Sequence, residues 1–154
     1  MKLEWDDLLA GSVAGSIAGA AFLAAMKVDQ VLTNHPLDDV RLLGEIGPWS
    51  ARWRLKGTAL HFVNSAVFGA LYSRIAQYLV GPPIARGMTF ALAENTVLWP
   101  FSFVVDRRHP AVRSGTMPPM NTPISIALEL ERHVVYGVVL GVLYEPIRAL
   151  IRRQ

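Results

Sequence analysis

The sequence predicts an all-α polytopic membrane protein, with four transmembrane helices arranged as two tandem repeated hairpins. Three observations support this fold class. The chain is 52% hydrophobic and only 18% charged, whereas soluble domains carry about 25% charged residues. Uncharged runs that approach the thickness of a bilayer recur along the chain. A segment from the middle of the chain also returns near its end.

The first two predicted spans are the longest uncharged runs in the N-terminal half. Leu8 to Met26 forms the first run, which at 1.5 Å per residue nearly crosses a hydrocarbon core about 30 Å thick. Its flank carries Glu4, Asp6 and Asp7 instead of basic residues, so we expect a retained span and not a signal peptide. The second predicted span is Gly57 to Ser73.

The third and fourth predicted spans contain polar interruptions. The third runs from Gly87 to Val105 and includes Glu94 and Asn95. In the fourth, only His133 to Tyr144 is free of charge. This segment is too short to cross a bilayer, so the helix must begin earlier, near Ile124.

The duplication is visible as a repeated apolar segment. HFVNSAVFGALY (61–72) recurs 72 residues later as HVVYGVVLGVLY (133–144), with the same residue at six of the twelve positions. The same shift aligns Gly15 with Gly87. Repeats of this length indicate a duplicated structural unit.

The duplication also defines the predicted domain organisation. We expect a single membrane domain over residues 1–154, with one repeat at about 8–80 and the other at about 84–150. Because two spans return the chain to the same side, the repeats are parallel and related by a pseudo-two-fold axis along the membrane normal. Residues related by the repeat then lie at equal depth.

The four histidines fall into repeat-related pairs near one predicted membrane surface. His61 and His133 each open a helix, and Glu129 lies one turn before His133, where it could orient the imidazole. Two such histidines could ligate a haem or a chlorophyll-type pigment. A small metal site that includes His35 and His109 is an alternative. In the simplest alternative, the histidines only hydrogen-bond to loop carbonyls or water.

Small residues form a stripe along the first helix. Gly11, Gly15 and Gly19 recur at four-residue spacing. Such spacing allows two helix backbones to approach closely in a membrane. The pattern predicts a close helix contact, either within the chain or with another chain.

Polar residues within the spans are candidate functional groups. Glu94 and Asn95 lie about two turns into the third span, and Asn64 lies on a semi-polar face of the second. An acid at this depth is costly unless it is paired or protonated, so it is a functional hypothesis by default. A buried hydrogen bond that fixes helix packing is the alternative.

The two long connections, 27–56 and 106–123, lie on the same predicted side of the membrane. They carry the larger share of lysine and arginine, so the positive-inside rule narrowly favours a cytoplasmic location for them. The first contains PWSARWRLKG, in which tryptophans among arginines predict an interfacial helix.

Three functional hypotheses follow, and none is enzymatic, because the sequence has no phosphate-binding loop, nucleophile elbow or zinc-protease motif. The first is a non-catalytic accessory or scaffolding subunit of a larger membrane complex. The second is an electron-transfer subunit with haem or pigment on His61 and His133. The third is a small proton or solute carrier that uses Glu94.

Expected partners are membrane lipids and other transmembrane subunits or a second copy of the chain. Nucleic acid is not expected as a partner, because the arginines flank apolar runs.

Several features resemble a family of four-helix bacterial inner-membrane proteins linked to acid resistance. They are the small-residue first helix, the segment HFVNSAVFGALY, the Pro118-Pro119 pair after the third helix, and the histidine-bearing last helix. The resemblance implies a multi-pass protein of the inner (plasma) membrane. It leaves the biochemical activity open.

Overall fold

A computed structural model describes residues 5–47 and 50–153 of the chain. Within these ranges, helices are joined by turns and loops, without strands. The predicted all-α class is therefore confirmed. The helices are α1 (Trp5–Thr33), α2 (Asp39–Gly44), α3 (Trp53–Ile75), α4 (Pro83–Leu98), α5 (Ser102–Arg108), α6 (Pro110–Arg113) and α7 (Pro123–Ile151), with 3₁₀ turns at Ser50–Arg52, Ala76–Tyr78 and Trp99–Phe101.

Three helical segments among the described residues are long and apolar enough to cross a membrane. They are α1, the continuous stretch Pro83–Arg108 from α4 through α5, and α7. The fourth long helix, α3, has 23 residues but a lower hydropathy, because His61 and Asn64 interrupt its apolar run. By length and composition, the protein therefore has three candidate membrane spans.

The helix boundaries differ from the predicted ones in two places. The first helix continues to Thr33, well beyond the predicted end at Met26, because Asp29 is buried in an ion pair and does not need solvent. The third predicted span is divided by the 3₁₀ turn around Pro100, since proline cannot donate a helical hydrogen bond. The early start of the last helix is confirmed, because α7 begins at Pro123 with Thr122 as its N-cap.

The arginine-rich segment before α3 does not form a separate interfacial helix in its described part. Trp49 lies outside the described residues, and Ser50–Arg52 lead directly into α3. The Trp53 ring lies close to the guanidinium groups of Arg41 and Arg54, at 4.7 and 4.5 Å from its centroid. Cation–π contacts of this kind fix the first turn of α3 beside α2.

The long helices pack in the order α3, α1, α7, α4. Helix α1 contacts both α3 and α7 along its length, and α7 contacts α4. Over the described residues, α3 and α4 lack comparable packing and meet through the rings of Tyr72 and Phe90, whose centroids lie 5.3 Å apart. The four helices therefore form an open arc with a cleft between its two ends, which we call the α3–α4 cleft.

Glycines allow the closest helix approaches in this arc. A methyl group on Gly11 or Gly15 would collide with the α3 backbone near Gly69, and one on Gly19 would collide with the Ser65 side chain. Gly87 of α4 is similarly close to the α7 backbone. The predicted stripe on α1 thus packs against α3 of the same chain.

Candidate functional site

A buried arginine joins three parts of the chain. Arg132 of α7 is fully buried and donates two hydrogen bonds to Asp29 of α1, at 2.7 and 3.0 Å. It also donates to Asp39 of α2 at 2.7 Å and to Glu129 of its own helix at 3.0 Å. The Leu37 carbonyl accepts a further bond at 3.3 Å. We call Arg132 and its three carboxylate partners the Arg132 cluster.

The Arg132 cluster fixes the first connection against the last helix. A bidentate pair between arginine and a carboxylate is strong and geometrically specific, and removing one partner of a buried pair leaves an uncompensated charge. Asp29 and Asp39 alone bring two carboxylates to one guanidinium, so the cluster has an excess of negative charge. The cluster therefore stabilises the fold and also makes its surroundings electronegative.

Sequence reasoning missed most of this cluster. A fourth helix that begins near Ile124 carries Arg132 into the headgroup region or against protein, which named no partner for it, and neither Asp29 nor Asp39 was singled out. The available signal was the Glu129–Arg132 spacing, since residues three apart share one helix face. The two aspartates come from distant segments and carried no local signal.

His61 and His133 do not open their helices, because α3 already begins at Trp53 and α7 at Pro123. The two imidazoles nevertheless lie in the same region, and one nitrogen of each has a carbonyl partner. His61 Nε2 is 3.0 Å from the Gly19 carbonyl oxygen, and His133 Nδ1 is 2.7 Å from that of Glu129. A carbonyl oxygen only accepts, so both nitrogens carry hydrogen. The Phe22 ring packs against both imidazoles, with centroids 5.3 Å from each.

This arrangement gives the haem or pigment hypothesis no support. Bis-imidazole ligation requires a free nitrogen from each ring to face one metal, whereas Phe22 fills the space next to both rings. The Glu129 carboxylate, predicted to orient His133, accepts a hydrogen bond from Arg132 and lies 3.8 Å from His133 Nδ1, beyond hydrogen-bond distance. Its backbone carbonyl takes the predicted orienting role.

The other two histidines bind separate partners. His35 Nε2 is 3.1 Å from Ser125 Oγ at the start of α7. His109 Nε2 donates to the Leu42 carbonyl at 3.0 Å, and its Nδ1 accepts from the Ala111 amide. Over residues 5–47 and 50–153, no group of three or more His, Asp or Glu side chains could hold a metal ion.

The α3–α4 cleft contains a cavity of about 350 Å³. Much of its wall is apolar and includes Phe22, Phe68 and Leu98. Such a volume and wall are typical of small-molecule sites, in which a few polar groups fix the ligand. The polar side chains on the wall are Asp39, His61, Asn64, Ser65, Glu94, Asn95, Trp99, Ser102, Glu129, His133 and Tyr136.

The intramembrane polar residues singled out from the sequence all line this cavity. Glu94 is half-buried and makes no hydrogen bond or ion pair with any described residue. Asn95 is only 8% exposed, and its side chain likewise lacks a partner within the described ranges. Asn64 is exposed at the rim. A carboxylate and an amide are therefore available to a bound solute in this cavity.

Comparison with known proteins identifies a family but no characterised relative. No curated protein and no solved structure matches the chain. The profile of a family described as a family of unknown function (DUF6789) matches residues 5–150, a range that covers α1 through nearly all of α7. The chain therefore belongs to the DUF6789 family.

Proposed function

We propose that this protein is a four-span membrane protein that carries protons or a small solute through the α3–α4 cleft. The observation that supports this function is the Glu94 side chain, which lines the cavity without a partner among the described residues. Ionisable groups within membrane spans are costly and characteristically mark ion or substrate pathways. No catalytic step is assigned to the cleft.

The fourth span in this proposal is α3. Its 23 residues extend for about 34 Å at 1.5 Å per residue, which exceeds the hydrocarbon thickness. It packs along α1, and its outward side chains Val63, Val67 and Leu71 are exposed and apolar. A helix with this contact and this surface fits a span beside α1.

The proposed duplication is supported by helix contacts that recur after a shift of 72 residues. Close approaches between α1 and α3 have counterparts between α4 and α7. The recurring pairs are Gly15 with Gly69 and Gly87 with Gly141, Gly15 with Ser65 and Gly87 with Gly137, and Gly69 with Gly11 and Gly141 with Pro83. Such agreement is expected of two copies of one hairpin.

The cleft is the point at which the two proposed copies differ. The shift of 72 residues relates the α1–α7 interface to an interface between α4 and α3. The first is closely packed along its length, whereas the second consists of the cavity and the ring contact between Tyr72 and Phe90. The same shift relates Phe22 to Glu94, and both side chains line the cavity.

The accessory-subunit hypothesis is weaker on this evidence. Its main support was the glycine stripe, but Gly11, Gly15 and Gly19 contact α3 of the same chain. The remaining support is exposed apolar surface, which lipid covers equally well.

We also propose that the protein lies in the inner membrane, with the long connections in the cytoplasm. This location rests on the charge asymmetry and on the resemblance described above.

Proton movement into proteoliposomes tests the proposed carrier. An internal pH-sensitive dye would report proton uptake driven by a potassium diffusion potential. We expect wild-type uptake above that of empty liposomes, and uptake at the empty-liposome rate for Glu94→Gln. Glu131→Gln is the matched control, because Glu131 is exposed on α7 and lies outside the cavity wall. Equal rates for wild type and Glu94→Gln would contradict the proposal.

A further inference from the structure

We propose that the α3–α4 cleft binds an ammonium group carried on an apolar body. This inference rests on the proposed function, because it names the solute class for the same cleft. Three properties of the cleft support it: the hydrogen-bonding groups on its wall, its charge, and the apolar character of the rest of the wall.

The polar atoms left free in the cleft are mostly hydrogen-bond acceptors. His61 Nε2 and His133 Nδ1 donate to backbone carbonyls, so the second nitrogen of each neutral ring is an acceptor. The Tyr136 hydroxyl uses its hydrogen on the Ser65 carbonyl at 3.0 Å. A ligand that offers N–H donors would therefore satisfy this surface better than one that offers oxygens.

Two side chains provide the specific anchor for such a ligand. The Glu94 carboxylate lines the cavity without a partner in the described chain. Asn95 is more than nine-tenths buried and lines the same cavity, also without a side-chain partner in the described ranges. The amide lines the cavity, and a bound ammonium could donate to its carbonyl oxygen. Both groups thus favour a cationic donor.

The charge around the cavity favours a cation over an anion. Asp39 and Glu129 line the wall together with Glu94. The nearby cation is Arg132, which is fully buried and occupied by its own carboxylate partners. Because a low-dielectric interior strengthens interactions between charges, a ligand with a net negative charge would be repelled.

The apolar wall determines the rest of the ligand. Phe22, Phe68 and Leu98 line the cavity, whose volume of about 350 Å³ accommodates a compact hydrocarbon body. The Trp99 ring is held by a hydrogen bond from Nε1 to Asn121, and an aromatic face also attracts an ammonium group. The ligand class is therefore a lipophilic amine, either free or as the ammonium headgroup of a lipid.

Calorimetric titration of the detergent-purified protein tests this inference with three ligands of one shape. They are 1-adamantylamine, 1-adamantanol and 1-adamantanecarboxylate, which share a rigid cage but differ in charge. We expect the amine to bind at least about tenfold more tightly than the alcohol, and the carboxylate to bind more weakly than both. Equal affinity for amine and alcohol, or tighter binding of the carboxylate, would overturn the inference.

Variants locate the binding in the cleft. Glu94→Gln should lower the amine affinity to that of the alcohol, whereas Glu94→Asp should retain the preference for the amine. Glu131→Gln should behave as wild type. Size-exclusion profiles of each variant establish that a loss of binding is not a loss of folding. An amine preference that survives in folded Glu94→Gln would place the site elsewhere and contradict the inference.

The two sources of the ammonium group are separated by competition. Displacement of bound adamantylamine by phosphatidylethanolamine, but not by phosphatidylglycerol, would identify a lipid headgroup as the ligand. Binding that neither lipid disturbs would identify a free amine. Amine binding without proton flux would support this inference and contradict proton carriage, whereas Glu94-dependent proton flux without an amine preference would do the reverse.

Discussion

Arg132 of α7 and Asp29 of α1 form a bidentate ion pair in the interior of the bundle, with bonds of 2.7 and 3.0 Å. They lie 103 residues apart in the sequence. The pair joins the C-terminal part of α1 to the N-terminal part of α7. It lies next to the cavity, whose wall includes His133 and Glu129.

Arg132→Leu should strongly destabilise the protein. The substitution leaves Asp29, Asp39 and Glu129 buried without their shared cation, and breaking a buried ion pair typically costs about 3–5 kcal/mol. Chemical unfolding followed by helical circular dichroism in detergent micelles would measure the change. Glu131→Gln is the control, since this side chain is exposed. If Arg132→Leu lowers the free energy of unfolding by no more than the control does, the cluster does not stabilise the fold.

Gly15→Ala should also destabilise the protein, by about 1–3 kcal/mol as for overpacked cores. Alanine normally stabilises a helix relative to glycine, so the predicted sign is the opposite of the intrinsic preference. The physical reason is the collision of the added methyl group with the α3 backbone at Ser65 and Gly69. The same unfolding measurement applies, with Ala59→Leu at an exposed position of α3 as the control. An increase in stability for Gly15→Ala would contradict the close contact.

The repeat-related tyrosines Tyr72 and Tyr144 should be energetically coupled. Their rings meet edge to face, with centroids 5.4 Å apart and an interplanar angle of 81°. Both are almost fully buried. A double-mutant cycle with Tyr72→Leu and Tyr144→Leu should give a coupling of about 0.5–1.5 kcal/mol, as for other aromatic pairs. Additive effects would indicate that the two rings do not interact.

Protein purified with its native membrane cofactors should show no Soret band, before or after reduction with dithionite. The reason is that the Phe22 ring packs against both His61 and His133, with its centroid 5.3 Å from each imidazole, and occupies space that a macrocycle between them would need. A Soret band that disappears in His61→Ala or His133→Ala would make these residues ligands and would contradict our account.

Much of the fold could be predicted from the sequence, but little of the cleft could. Long uncharged runs predicted the membrane helices, because the bilayer requires them, and glycine spacing predicted a close contact without identifying its partner. The end of α1 was predicted too early, because the uncharged run ends at Lys27, whereas the helix continues past Asp29, which pairs with Arg132 from a distant helix. Glu94 was recognised as an unusual acid. Its position on an open cleft could not be predicted, because an exact repeat would have packed α3 against α4.

The most direct test of the account is the chemical reactivity of the cleft wall. The chain contains no cysteine, so Asn95→Cys creates a single thiol on the cleft side of α4, with Glu94 still in place. Val97→Cys is the control, because Val97 is 73% exposed on α4 and is not part of the cavity wall.

The measurement is the rate of thiol modification in proteoliposomes by two methanethiosulfonates, one with a trimethylammonium group and one with a sulfonate. Our account predicts that Asn95→Cys reacts with both reagents and faster with the cationic one, because the cleft is open and electronegative. Val97→Cys should stay unreactive, because it faces lipid. A thiol at position 95 that reacts with neither reagent, or faster with the sulfonate, would contradict an open cation-binding cleft between α3 and α4.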